Sequence, residues 1–435
     1  MSQTNHDNYR GSQLLDSDID GTVENGETGF KVATNEEGTR VFVPTHNEGD
    51  GAGGNVKVYD WDGSSWIQVG TTVYGQYLGT PGLGFALSCS SSGHRFATNG
   101  VVGSRVYEYV NDAWSQIGSE FSNSDNFRVY SIAMSGDGNR VVFGNKHFAP
   151  HDVGCIRVFD WDDSSSQWNQ VGNEITGIAA FDIFGESVAI SEDGTTIAAG
   201  APHADNGSGD TVGYVRIFRF AEGDAETSAH WTQIGSNIAG ISDYNYFGGS
   251  CALSSNGGRV VIGSEGNTNY VQVYDYDDSD GWVQVGTNLM GFHSFDQFGR
   301  SVSISNNGLR VVAGGRSHHG GGWQNKGHVR VFDWDSEGQD WTLIEEIYGE
   351  DNQDRFGEAV ALSGDGSRLA VGAPQANNGG TSDVTGHVQV WLLSTDMPSN
   401  EDDETQAQEE SGGGDSGSGT ASGSGDPYIC AMLCL

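Results

Sequence analysis

One short phrase recurs seven times between residues 28 and 371: a strand of small residues ending in a Ser-x-Asp/Asn-Gly corner. Aligned on the corner glycine, the copies fall at Gly38, Gly93, Gly138, Gly194, Gly257, Gly308 and Gly366, with spacings of 55, 45, 56, 63, 51 and 58 residues. A period of this size marks stacked supersecondary units, each burying its faces against its neighbours. It favours one large repeat domain over two or three unrelated ones.

The copy beginning at Phe184 serves as the type. It runs Phe184-Gly185-Glu186-Ser187-Val188-Ala189-Ile190-Ser191, turns at Glu192-Asp193-Gly194, and continues Thr196 to Pro202. Tyr214 to Phe218 and Trp231 to Gly235 follow after polar loops. Each run is short, rich in β-branched and aromatic residues, and bounded by Gly, Asp, Asn or Pro, which is a strand signature. Nothing in the repeat has a helical period. Each unit is therefore expected to be a four-stranded antiparallel meander.

First strands carry small residues (Gly185, Ser187, Ala189; Gly357, Ala359, Ala361), whereas third strands read Val-x-Val-Tyr/Phe-Asp-Trp, as at 56–61, 156–161 and 329–334. Fourth strands open with Trp66, Trp114, Trp168, Trp231, Trp282 or Trp341. Sheets set radially crowd at the axis and diverge at the rim, so this taper predicts an all-β, seven-bladed β-propeller. The first three strands occur seven times but the tryptophan strand only six. The missing strand is sought at the other end of the chain. Gln13-Leu14-Leu15 followed by Ile19-Asp20-Gly21 resembles Gln170-Val171-Gly172 followed by Ile175-Thr176-Gly177, with one extra residue. Residues 11–21 are thus expected to close blade seven, removing an exposed sheet edge. The organisation read from this is an extension at 1–10, the propeller at 11–394 and a tail at 395–435. The tail is acidic and Gly/Ser-rich, a composition that favours disorder, and it ends in a short apolar run, Pro427 to Leu435.

Here the residues resemble a known pattern. Phe184-Gly185 with Gly200-Ala201-Pro202, and Phe356-Gly357 with Gly372-Ala373-Pro374, are similar to the FG-GAP repeat of integrin α-chain propellers. Phe247-Gly248 and Phe298-Gly299 keep the first half, while Thr28-Gly29, Leu83-Gly84 and Arg128-Val129 stand in its place in blades one to three. The corner also resembles those of bacterial Tol-type and WD-repeat-like propellers. The resemblance implies an extracellular or cell-surface adhesion or ligand-binding module, in some members with bound calcium. Calcium needs six to eight oxygens, and the four-residue corners are too short to wrap an ion. Their aspartates are expected to hydrogen-bond their own backbone. The longer loop at 205–210, with Asp205 and Asp210, is the better calcium candidate. No other cofactor is expected.

Net charge is −39, from 20 basic and 59 acidic residues, which argues against nucleic acid and anionic membrane as partners and fits a monomer. Residues 1–10 lack the apolar core of a secretory signal, and no stretch approaches the roughly 18 apolar residues of a spanning helix. These observations leave the localisation open. Cys89, Cys155 and Cys251 fall in predicted strands and are expected to be small buried hydrophobes.

Up-and-down connectivity sends the corners and the Asp-Trp-Asp links (60–62, 160–162, 333–335) to one face. The loops between strands two and three, and between blades, go to the other. That second face differs in every blade. It carries His147, His151, Asp152, His203, Asp205, His318, His319 and Trp323, with Phe148 beside them. Variable loops on a rigid scaffold are where recognition sits. The expected function is a non-catalytic module binding a protein or glycan there. The alternatives are a propeller hydrolase or lyase acting on a sugar or lactone, and a truncated cell-surface repeat protein. Convergent His, Asp and Glu side chains would favour the enzyme; exposed Trp323 and Phe148 would favour binding.

Overall fold

The computed structural model describes residues 12–47, 53–75, 86–100, 103–122, 128–148, 151–223, 230–294, 296–317, 325–377 and 384–394. Residues 1–394 form one compact unit, and the tail from 395 lies outside the described residues. The described strands make seven antiparallel sheets of four strands, six of them in sequence order, and several with a fifth short piece at the rim. Blade four is representative: Ser187–Ile190, Thr196–Ala201, Tyr214–Ala221, His230–Gln233, then Ile238–Ala239 back on the third strand. Innermost strands touch from blade to blade around the axis. Buried Phe, Val and Ile between adjacent sheets form one core cluster per seam. The chain is a seven-bladed β-propeller. Among the described residues no helix is long and apolar enough to cross a membrane.

The N-terminal strand completes the last blade. Gln13 lies opposite Leu392, Leu14 opposite Trp391, and Ile19 opposite Val388. Ile19 is buried, and Leu14 and Leu15 pack onto the cores on either side. The register differs from the sequence alignment by one residue. Leu14 faces Trp391 as Gln170 faces Phe159, and Ile19 faces Val388 as Ile175 faces Ile156. No residue is inserted. Asp16, at φ 67°, then occupies the place of Gly172, at φ 74°. Aspartate tolerates this left-handed conformation better than most residues, which hid the equivalence in sequence.

The place of that glycine explains the rim. In blade one Gly70 sits at φ 69°, and a side chain there would come within 2.8 Å of Trp114 Cδ1 in blade two. The glycine makes room for the next blade's indole. Six fourth-strand tryptophans, Trp66 to Trp341, each donate the indole N–H to a carbonyl of the preceding outer strand at 3.0–3.3 Å. Blade seven has Ser12 where the others have Trp. Blade six correspondingly carries Glu345 instead of glycine, and Ser12 Oγ donates to it at 2.6 Å.

A second inter-blade contact was not foreseen. Arg40, Arg140, Arg259 and Arg310 open their second strands and bind Asp60, Asp160, Asp275 and Asp333 bidentately at 2.6–2.7 Å. Each also donates to the corner-glycine carbonyl of the following blade at 2.7–3.0 Å. Fork-shaped pairs of this kind fix geometry as well as adding energy. Arg368 reaches the Glu37 carbonyl of blade one at 2.8 Å, so the contact also spans the closure. The Asp-Trp-Asp links are structural, as expected, but divided in role. The first aspartate takes the arginine, and the second (Asp62, Asp162) accepts from turn serines.

Candidate functional site

The two ends of the axis are chemically distinct. At the corner end Ser191 Oγ donates to Asp193, which also accepts from Thr195 N, and Ser135, Ser254, Ser305 and Ser363 repeat the pattern. The corner aspartates thus bond within their own turns. Beside them a closed ring of backbone hydrogen bonds circles the axis. Glu36 N–H donates to Ser91, Ser91 to Gly136, Gly136 to Glu192, Glu192 to Ser255, Ser255 to Asn306, Asn306 to Gly364, and Gly364 to Glu36, all at 2.7–3.1 Å. Glu36 and Glu192 meet Asn306 across the axis, leaving a polar cavity of only about 160 Å³.

The loop end opens instead into an axial channel of about 470 Å³. Its wall is made by the residues that start each inner strand. In blades three to six Ser131, Ser187, Ser250 and Ser301 donate to the glycine carbonyl of the next blade at 2.7–2.8 Å. The Phe-Gly glycines permit this approach. Gly248 has φ 90°, and a side chain on its neighbour Gly200 would lie 1.9 Å from the Gly248 oxygen. The phenylalanines Phe184, Phe247, Phe298 and Phe356 are fully buried.

Charge enters the channel through Lys31, Arg128, Lys146, Arg300 and Glu186. Lys146 pairs with Glu186 at 2.8 Å. Arg300 pairs with Glu265 at 3.0 Å and Glu358 at 2.9 Å, and Arg316 adds a second cation to Glu358 at 3.0 Å. Burial opposes the Arg300 charge, yet Glu265 and Glu358 outweigh it and hold the guanidinium above its usual range. Burial likewise opposes the Glu358 charge, and Arg300 with Arg316 keeps that carboxylate below its usual range.

Beside the channel, sharing Lys146, Glu186 and Gly249 with it, lies a second cavity of about 430 Å³. Here the structure brings together several residues singled out in the sequence. His147, Asp152 and His203 line it with Phe181 and Tyr246. His147 Nδ1 is 3.3 Å from Asp152, and the His203 ring lies 5.2 Å from that of Tyr246. Burial lowers the His203 pKa. His151 is exposed at the rim, 6.1 Å from the Phe181 ring.

Other expected residues lie elsewhere. Asp205 accepts from Gly207 N and Gly209 N in its own loop, and Asp210 accepts from Asn206 at 3.1 Å, so that loop closes on itself away from the cavity. Phe148 is half-buried against the core of blade three, because folding the loop back covers its ring. His318, His319 and Trp323 lie outside the described residues. Among the described residues the group spaced to hold a metal is Asp18, Asp20 and His387, where the N-terminal strand meets blade seven. Burial raises both carboxyl pKa values and lowers that of His387. Cys155 is buried and Cys89 and Cys251 partly so; burial pushes the Cys89 thiol up to about 12 and Cys251 to about 11, which makes them poor nucleophiles.

Sequence reasoning missed the apolar part of this face. Ile178 and Phe181, in the connection from blade three to four, are 61% and 62% exposed. Their counterparts in the next connection, Ile241 and Tyr244, are 60% and 52% exposed. The shared Gly-Ile-x-x-aromatic spacing was the available signal. Beneath them a buried acid or amide, two residues before each Phe-Gly, pins the connection. Asp182 accepts from Ala179 N and Tyr214 OH, and Asp296 accepts from Phe292 N.

No protein-family model matches the sequence, and no curated protein matches it either. Among solved structures, a chain of hydrazine synthase from Kuenenia stuttgartiensis is similar at a TM-score of 0.53 and 14% identity, covering 86% of this chain and 98% of that one. At that identity the likeness is one of fold.

Proposed function

We propose that the chain is a non-catalytic binding module of the FG-GAP, integrin α-like kind, recognising a protein or glycan through the loop face. The observation that carries this reading is the exposure of four large apolar side chains on that face, Ile178, Phe181, Ile241 and Tyr244, with Phe181 lining the cavity of His147 and His203. Large exposed apolar side chains rimmed by polar groups are what a docking surface offers. The fold supplies a rigid scaffold for such loops without dictating a chemistry. A net charge of −39 fits a monomer that avoids nucleic acid, and the family resemblance suggests an extracellular or cell-surface setting. Calcium at Asp205 and Asp210 would be an accessory to this role.

The test is a glycan and protein array probed with the full-length chain, with and without calcium. Specific binding that falls in the Phe181→Ser, Tyr244→Ser double variant is the expected result. Wholly blank arrays would overturn the reading. The second reading, a hydrolase or lyase for a sugar or lactone, draws on the His147–Asp152 pair and His203 lining one cavity. Turnover of such substrates that is lost in His203→Gln would favour it.

A further inference from the structure

The axial channel reverses the charge balance of the chain. Acidic residues outnumber basic ones by 59 to 20 overall, yet the channel wall carries Lys31, Arg128, Lys146 and Arg300 against Glu186. Lys146 is committed to Glu186 of the wall, and Arg300 to Glu265 and Glu358, which lie outside the lining. Lys31 and Arg128 are not: among the described residues neither meets a carboxylate. Their neighbours are aromatic, with Arg128 5.5 Å from the Tyr130 ring and Lys31 5.8 Å from that of Phe30.

The position of Lys31 is telling. It takes the place in blade one that Ser187, Ser250 and Ser301 take in theirs, where a hydroxyl is satisfied by the next blade. A long cation thus replaces a self-satisfied hydroxyl at the axis. Holding an ammonium in a confined site without a counter-ion is costly. Burial, with Arg300 nearby, lowers its pKa, while Glu358, Glu186 and Glu265 pull the other way. The cavity is in the size range of small-ligand sites.

We propose that the axial channel binds a small carboxylate or phosphate anion, ion-paired to Lys31 and Arg128. The site extends from the loop face inward and does not depend on any partner docked on the exposed apolar side chains. An anion there gives the secluded Lys31 ammonium the direct ion pair it lacks and meets the exposed Arg128 guanidinium at the channel mouth, and confinement strengthens the pairing at Lys31 relative to open water. Its affinity should weaken with added salt and at pH high enough to discharge Lys31.

The test is isothermal titration of the full-length chain with citrate and, separately, with inorganic phosphate, using glucose as a neutral control. One saturable site for either anion is expected, weakened about tenfold or more in Lys31→Gln and severalfold in Arg128→Gln. Citrate binding alone assigns a carboxylate ligand, and phosphate binding alone a phosphate ligand. Heat that does not saturate with either anion up to about 10 mM overturns the proposal, as does an affinity unchanged in Lys31→Gln. Should Lys31→Gln fail to fold, Arg128→Gln decides, and an unchanged affinity there has the same consequence. Blank arrays with anion binding intact would remove the loop-face reading and leave this site standing.

Discussion

At the corner end of the axis seven blades contribute the same two backbone groups, and each is bonded to a neighbour. At the loop end the connections differ from blade to blade, and cations and apolar side chains are left facing outward. The corner end is a closure device; the loop end is the surface to which we assign the proposed binding. Uniformity within a repeat thus marks where the scaffold is self-satisfied, and departures from it are where we place the proposed function. Lys31 in place of a serine is such a departure, and the exposed Ile178 and Phe181, matched by Ile241 and Tyr244 in the next connection, are another.

The largest effect expected from breaking this contrast is at the scaffold. Removing residues 1–22 exposes the faces that Leu14, Leu15 and Ile19 cover and takes away the Leu15 carbonyl bonded by Trp66. A thermal melt should show Tm lowered by more than about 10 °C, or no cooperative transition. An unchanged melt would refute closure by this strand. Next comes Arg140→Ala, which leaves Asp160 and the Gly194 carbonyl without their shared donor. Denaturant titration should show a loss of about 2–3 kcal/mol, with citrate binding retained.

A smaller effect of opposite sign is expected at the loop end. Burial pushes the Asp354 carboxyl up to about 6, from an ordinary value of 3.8. A carboxyl whose folded pKa lies above its unfolded one favours the folded state while both are protonated, and that advantage is lost as pH rises from about 4 to about 6. Asp354→Asn should therefore match the parent near pH 4 and exceed it by about 1–2 kcal/mol at pH 7, in unfolding titrations at the two pH values. Asn245 already stands at the equivalent position in blade five. The smallest effect belongs to Phe181→Ser with Tyr244→Ser. Stability should stay within about 0.5 kcal/mol because the side chains are exposed, and only array binding should fall. A large loss of stability would show that these side chains belong to the scaffold.

Most of the scaffold was legible in the sequence because repetition exposes it. The corner glycines gave the blade count, and the missing seventh tryptophan pointed to residues 11–21. The arginine contacts were also written there and overlooked. Arginine stands two residues after the corner glycine in six of seven copies, with Thr196 as the exception. Its aspartate partner, however, lies 16 to 23 residues further on, a separation that varies with loop length. The site was less legible because it is assembled from different blades. Lys31, Arg128, Lys146 and Arg300 share a wall only after the ring closes, and no local spacing announces them. The histidines show the converse. His147 and His203 converge through folding, while Asp205, close to His203 in sequence, turns back into its own loop.

Native-state hydrogen exchange of the axial amides tests the closed ring most directly. The amides of Glu36, Ser91, Gly136, Glu192, Ser255, Asn306 and Gly364 should all exchange together, only through global unfolding, because each is held by the blade beside it. Fast exchange at any of the seven, at rates typical of open loops, would show a gap in the ring and contradict the account.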